Sequence, residues 1–526
     1  MAQVTPVQQT AQAKTRLPPQ IPFIIGNEAC ERFSFYGMRN ILTAFLVSYL
    51  LVDRADISLR EAEAKDIFHL FVMGVYFFPL LGGWLADKWL GKYRTILWLS
   101  LVYCAGHACL AIFESNKAGF YTGLFLIALG SGGIKPCVSS FVGDQFDQSN
   151  KHLAQKVYDA FYWIINFGSF FASLLIPLTL EAWGPSVAFG IPGLLMFVAT
   201  AVFWAGRKHY VNVPPSPRDP HGFVEIAKTA LLAPAADGRR PGLPMAVAGT
   251  VLGLGSLAAM PWIGFVSSLC LGLVVFLALF GFGLSRQLER ARGAHPTEDV
   301  DGVRTVLGIL VIFFLVTPFW SLFDQKASTW ILQAQAMELP DWGFFRSASQ
   351  MQALNPLLVM LLIPFNNMVL YPALERSGIR VTPLRRMTAG MIFAGFSWIV
   401  AGAIQLAIDG GSQTSILWQV LPYALLTFGE VLVSATGLEF AYSQAPRKMK
   451  GVIMSFWSLS TTVGNLWVLL VNAGMRSEGV KTLVARTGLS QMAFQMFFFA
   501  AFAMAAGLAF GVYARRYRMV DNYRVA

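Results

Sequence analysis

Four ionisable residues, Glu28, Glu31, Arg32 and Arg39, interrupt an otherwise apolar run at residues 21–52. Carboxylates in such surroundings can take up and release protons, and guanidinium groups can hold anionic parts of a ligand. Each charge at mid-bilayer costs at least ~2.5–3.5 kcal/mol, so groups of this kind face a bundle interior or a watery cavity. Glu28, Arg32 and Arg39 fall at i, i+4 and i+11, with Glu31 one turn from Glu28, and helical geometry gathers all four along one stripe. Lys135, Asp324 and Glu430 are embedded in later apolar runs, and His69 lies seven residues before Tyr76 on the same helical face.

These residues need membrane-spanning helices to position them. The chain has 526 residues, 55% of them hydrophobic and 13% charged, with a mean hydropathy of +0.55. That composition defines a multi-pass, all-α integral membrane protein. About fourteen apolar runs reach the length needed to cross the hydrocarbon. Six of them precede a Pro-rich, basic stretch at 206–243 that shows no amphipathic regularity over its whole length and reads as a linker. Two nearly uncharged runs follow it and suit lipid contact at the periphery. The predicted organisation is a six-helix bundle at 1–205, a linker with two inserted helices at 206–302, and a second six-helix bundle at 303–526. The loops at 82–95 and 371–386 each follow the second helix of a half and read as repeats.

The net charge of +11 reflects topology. With the N-terminus inside, about 28 Lys and Arg fall on the cytoplasmic side and about 8 outside, which places both termini in the cytoplasm and argues against nucleic acid as a partner. No cleavable leader is expected. The five cysteines lack CxxC spacing and read as buried thiols without a disulfide framework or metal site. No constellation of catalytic residues converges in the spans.

The charged stripe belongs to a motif, Glu28-Ala-Cys-Glu31-Arg32-Phe-Ser-Phe35-Tyr36-Gly37, that resembles the ExxER signature of the proton-dependent oligopeptide transporter family. Further matches are GSGGIKPCVSSFVGDQF at 130–146, FYWIINFGS at 161–169, FWSLFDQ with Trp320 and Asp324, LNPL with Asn355, FGEVLVSATGLEFAYSQAP with Glu430, and Trp457. The loop Gly83-x3-Asp87-x3-Gly91-Lys92-x-Arg94 resembles that of the major facilitator superfamily, in which the Asp holds loop cations across a helix boundary. The resemblance covers nearly the whole chain and implies a major facilitator fold that imports di- and tripeptides by proton symport in a bacterial inner membrane. Its alternative within the family is a carrier of nitrate or another small metabolite. Oligomeric state is not specified by these features, and protons are the expected coupling ion, with no other cofactor.

Glu28 four residues before Arg32 has the favourable orientation for a helical pair, and Lys135 is the expected partner of Glu31. The resemblance assigns proton coupling to Glu28, Glu31, Arg32, Lys135 and Asp324, with His69 in a context where some relatives carry a proton-handling histidine. With Glu28 and Glu31 against Arg32, Arg39 and Lys135 in the first half, and Asp324 and Glu430 in the second, the cavity is expected to be bipolar. A zwitterionic peptide would set its carboxylate against Arg39 and Lys135 and its ammonium against Glu430. Asn166 and Asn355 would assist as neutral partners, and Tyr36, Tyr76, Trp320 and Trp457 would supply walls. Phe35 departs from the tyrosine common in the family, which removes one phenolic hydroxyl.

Overall fold

The computed structural model describes residues 17–146, 154–215, 219–234, 240–444, 446, 449 and onward to 517. Helix α1 (Ile21–Phe45) widens into a π-turn at Leu46–Leu50. It is followed by α2 (Ile57–Leu90), α3 (Lys92–Ile112), α4 (Lys117–Asp144), α5 (Ala154–Trp183) and α6 (Pro185–Ala205). A short helix α7 (Phe223–Leu232) precedes the hairpin of α8 (Leu243–Ile263) and α9 (Phe265–Gln287). The second half comprises α10 (Thr297–Gln335), α11 (Ala348–Arg376), α12 (Pro383–Asp409), α13 (Ile416–Ala441), α14 (Lys450–Met475), a short α15 (Glu478–Thr487) and α16 (Gln491–Arg516). Among the described residues 13 helices are apolar and long enough to cross a membrane, and α1, excluded by its charges, is a further helix of 25 residues.

Helix starts follow local chemistry. Asp56 accepts from the Ser58 amide at 2.8 Å, Asn116 from Gly119 at 3.0 Å and Ser490 from Ala493 at 3.1 Å, satisfying first-turn donors that have no helical partner. The two repeat loops share geometry as well as position. Each second helix passes through a π-turn, Ala86–Leu90 and Asn366–Leu370, before a glycine at positive φ, Gly91 at 76° and Gly378 at 79°. In the first loop Lys92 pairs with Asp144 of α4 at 2.6 Å. Asp87, expected to hold the loop cations, forms no close ion pair among the described residues, and the end of α4 supplies the carboxylate that the lysine reaches.

Glycines let helix backbones touch, as apolar packing in lipid requires. A Cβ on Gly82 would fall on the backbone of Gly133, which joins α2 to α4. Gly82→Val is therefore expected to lower stability by ~1–3 kcal/mol through overpacking; thermal unfolding of the detergent-solubilised protein measures it.

Two buried clusters form, one from α1 to α6 and the other around α10 to α16. The hairpin α8–α9 is largely exposed, with only 11% of the apolar window of α8 buried. It touches the rest through Cys270, which packs with Met73, Leu466 and Leu469, and through Ala246 and Leu284, which join the cluster of the second half. The linker departs from the sequence reading: α7 is amphipathic, burying Ile226, Ala227, Ala230 and Leu231. Its periodicity spans only 10 residues and is diluted by the flanking prolines. The cysteines also divide, since Cys137 and Cys270 are buried whereas Cys30, Cys104 and Cys109 are half-buried.

Hydrogen bonds between the halves gather at the end where α1 finishes and α2 begins. Thr43 donates to the Ala327 carbonyl at 2.7 Å, Gln352 to that of Asn40 at 2.8 Å and Gln350 to that of Leu174 at 3.1 Å. Lys65 reaches Gln495 at 3.1 Å, and Asp66 binds Asn472 at 3.0 Å and pairs with Arg476. In the adjoining loop, hydrogen bonds from Lys117 hold the Asp53 carboxyl below its usual range. At the opposite end Ser139, Ser140, Tyr162, Trp163, Leu438 and Glu439 are exposed. Among the described residues, side-chain hydrogen bonds close the molecule at the first end and none joins the halves at the second.

Candidate functional site

The α1 stripe forms as its spacing implies, with Glu28, Glu31 and Arg39 buried. The Nε atom of Arg32 lies 2.6 Å from Glu28 Oε1 and 2.8 Å from Glu31 Oε2, so one guanidinium serves two carboxylates. Neither Glu31 oxygen receives a well-directed hydrogen bond. The expected Glu31–Lys135 ion pair is absent among the described contacts. The ammonium of Lys135 instead sits over the rings of Phe35 and Tyr76, 4.5 and 4.4 Å from their centroids. Arg32 occupies Glu31 from the same helix, and the aromatic faces offer the lysine an alternative cation site. Phe35, which lacks the expected hydroxyl, contributes through its ring.

Arg39 crosses between the halves. Its Nη2 donates to Asp324 Oδ1 at 2.7 Å, and Asn465 Nδ2 donates to Asp324 Oδ2 at 2.7 Å. The Asn465 Oδ1 atom lies 2.7 Å from His69 Nδ1, and His69 Nε2 is 2.8 Å from the Ser328 hydroxyl. Because the Asn465 amide nitrogen serves Asp324, its oxygen accepts from His69 Nδ1, and a neutral imidazole then accepts from Ser328 at Nε2. A continuous hydrogen-bonded chain links His69 to Asp324 and Arg39. The guanidinium assigned to a ligand carboxylate is thus already held by a protein carboxylate 285 positions away in sequence. His107, by contrast, bonds Ser34 at 2.9 Å and stacks on Tyr103.

A second chain lies within the C-terminal half. Lys326 Nζ donates to Asn355 Oδ1 at 2.8 Å, and Asn355 Nδ2 donates to Glu430 Oε2 at 2.5 Å and to Thr427 Oγ1 at 3.1 Å. Lys326 also covers the Phe323 ring. The sequence reading did not single out Lys326, Asn465 or Ser328. A lysine inside an apolar run with no acid one helical turn away was the available signal for Lys326. Including it evens the charges of the two chains and the α1 stripe: Glu28, Glu31, Asp324 and Glu430 against Arg32, Arg39, Lys135 and Lys326. This corrects the uneven count expected from sequence.

The aromatic residues are less open than anticipated. Trp320 and Trp457 meet edge to face at 5.8 Å, and the Trp320 indole donates to Ser460 at 3.0 Å. The Trp457 ring lies where a Cβ on Gly437 would be. Tyr36 packs on Phe35 at 5.4 Å, and Asn166 returns its amide to the Tyr162 carbonyl of its own helix at 3.0 Å. Of the predicted set, Asn166 is therefore not joined to the Asn355–Glu430 chain by a described hydrogen bond, because back-bonding satisfies its donor locally. Glu439 forms a surface pair with Arg386 at 3.1 Å.

Two six-helix halves with buried charge between them define a membrane protein of the major facilitator fold. The sequence profile of the POT family matches residues 93–481, and the chain belongs to that family. The chain is 34% identical over 409 residues to "Solute carrier family 15 member 2" of Danio rerio, covering 75% of this chain and 50% of that protein. It spans about half the length of the curated relatives it matches. Among solved structures, the crystal structure of an auto-inhibited POT family peptide transporter is 66% identical, covers 97% of this chain and 99% of its own, and superposes with a TM-score of 0.94. The POT family transporter PepTSo is 64% identical, with coverages of 97% and 100% and a TM-score of 0.94.

Proposed function

We propose that this protein imports di- and tripeptides in symport with protons, by alternating access between its two halves. The observation that carries the reading is the buried chain from His69 through Asn465 to Asp324 and Arg39, a set of titratable groups bridging the halves at the closed end. A peptide carboxylate competes with Asp324 for Arg39, and protonation of Asp324 releases the guanidinium. The ammonium of the same peptide finds Glu430, which the small-anion alternative leaves without purpose. Glu31, near Arg32 but poorly hydrogen-bonded, is the helix 1 carboxylate suited to accept a proton, and Lys135 stands close enough to exchange its aromatic site for a carboxylate.

The proposal places the chain in a bacterial inner membrane with both termini cytoplasmic, so that the second end faces inward. It treats 1–205 and 303–526 as the rocking bodies and 206–302 as an accessory segment, and it assigns the protein no catalytic activity. One proton moving down 100 mV carries ~2.3 kcal/mol, enough for about fifty-fold accumulation. Uptake of labelled dialanine into proteoliposomes tests this. The wild type should accumulate it under an inward proton gradient, whereas Glu31→Gln should retain only exchange. Absence of dialanine uptake under every condition would overturn the peptide reading.

A further inference from the structure

The first half buries a histidine that the proposed transport chemistry does not use. His107 lies on α3 with no exposed surface, and its Nε2 is 2.9 Å from the hydroxyl of Ser34 on α1. Its ring stacks on Tyr103, one turn earlier on α3, with centroids 5.0 Å apart. Helix α6 backs it at Gly193, where an added Cβ would stand 3.0 Å from the Cβ of His107. Among the described residues no charged side chain touches the imidazole.

Six of the fifteen buried side-chain atoms that lack a well-directed hydrogen bond among the described residues belong to Glu31, Ser100, Tyr103, His107 and Ser131. Behind the α1 stripe, therefore, hydroxyl protons have most freedom to be oriented. Ser34 follows Glu31 by three residues on α1, and Ser131 precedes Lys135 by four on α4, so each serine shares a face with a member of the charged set. Tyr103 reaches across from α3, and its hydroxyl faces Glu31, Ser34 and Ser131. The charged groups around Glu31 are Glu28 and Arg32 on its own helix and Lys135 from α4. The Nδ1 atom of His107 has no partner. Buried donors are left unpaired more rarely than acceptors, so the proton of the neutral ring sits on Nε2 and is donated to Ser34. The serine hydroxyl then donates onward to Tyr103, which leaves the single phenolic proton for Glu31.

We propose that His107 is a positioning residue for Glu31, orienting the Ser34 and Tyr103 hydroxyls so that a chain of donors ends on the carboxylate. The inference rests on Glu31 as a proton acceptor of the transport cycle. Donors aimed at a carboxylate favour its ionised form, so the chain sets how readily Glu31 releases its proton. Without the imidazole, Ser34 Oγ takes the hydrogen bond of Tyr103 for itself and Glu31 loses a donor.

Initial dialanine uptake into proteoliposomes at fixed membrane potential, measured against external pH, tests this. His107→Met, which fills the site without donating, should move half-maximal uptake to higher pH by about 0.5–1 unit, the worth of one hydrogen bond. Ser34→Ala, a small change, should produce the same shift, and the double variant should go no further, since both break one chain. His107→Gln, which can still donate to Ser34, should return the wild-type profile. A packing defect would lower uptake at every pH without moving its midpoint. An unmoved midpoint in both single variants would overturn the inference, as would additive shifts in the double variant. With Glu31→Gln reduced to exchange, either result removes only the role of His107; retained gradient-driven accumulation in Glu31→Gln would remove the acceptor itself.

Discussion

Asp324→Asn is expected to reduce gradient-driven dialanine accumulation more than about 100-fold while leaving peptide binding in place. The carboxylate is 1% exposed and holds Arg39 across the two halves. Removing one member of such a pair strands the other charge in a dry environment, at a cost of ~3–5 kcal/mol. That cost falls on the conformation in which Arg39 and Asp324 meet across the halves. The asparagine retains an oxygen for Asn465, so the chain to His69 loses its charge but not its shape. Arg39, freed from its partner, remains available to a peptide carboxylate. Proteoliposome uptake and equilibrium binding of dialanine separate the two effects. Accumulation within threefold of the wild type would sink the coupling role assigned to this pair.

Glu430→Gln should act on binding instead, weakening dialanine about 100-fold. Its carboxylate is the acidic end of the Lys326–Asn355–Glu430 chain. Neutralising it removes the acid that faces Lys326 through Asn355, so a peptide ammonium would meet Lys326 uncompensated. N-acetyl-dialanine, which lacks the ammonium, should change less than about threefold, since it forfeits no charge-assisted bond. Titration calorimetry with both ligands gives the comparison. Equal weakening of the two would show that Glu430 organises the pocket without touching the amino terminus.

Much of the candidate site was legible because lipid makes charge conspicuous. Glu28, Glu31, Arg32, Arg39, Lys135, Asp324 and Glu430 stand out from the apolar runs that hold them, and the helix 1 motif carries the family. The Glu28–Arg32 pair was legible too, since both ends lie on one helix and fixed geometry joins them. Lys326 was overlooked for a local reason: its nearest acid in sequence points to another face, and its hydrogen-bond partner Asn355 belongs to a different helix.

Partners contributed by separate helices were not legible. Which carboxylate Arg39 meets depends on how the halves close, and Asp324 and Asn465 arrive from two helices of the second half. Lys135 was expected at Glu31 on charge alone, yet the packing of α2 places Tyr76 beneath its ammonium. The amphipathic α7 was hidden because its short period is embedded among prolines, and its buried face appears only against the hairpin, the turn after α9 and the start of α10.

By itself the sequence determined a helical membrane protein, its span order, its family and most of the embedded charges, because hydropathy, helical period and motif spacing are local properties of a chain. The tertiary structure alone decided which charges pair, which end is closed, and that Trp320 and Trp457 pack on each other, because each of these depends on side chains brought together from distant helices.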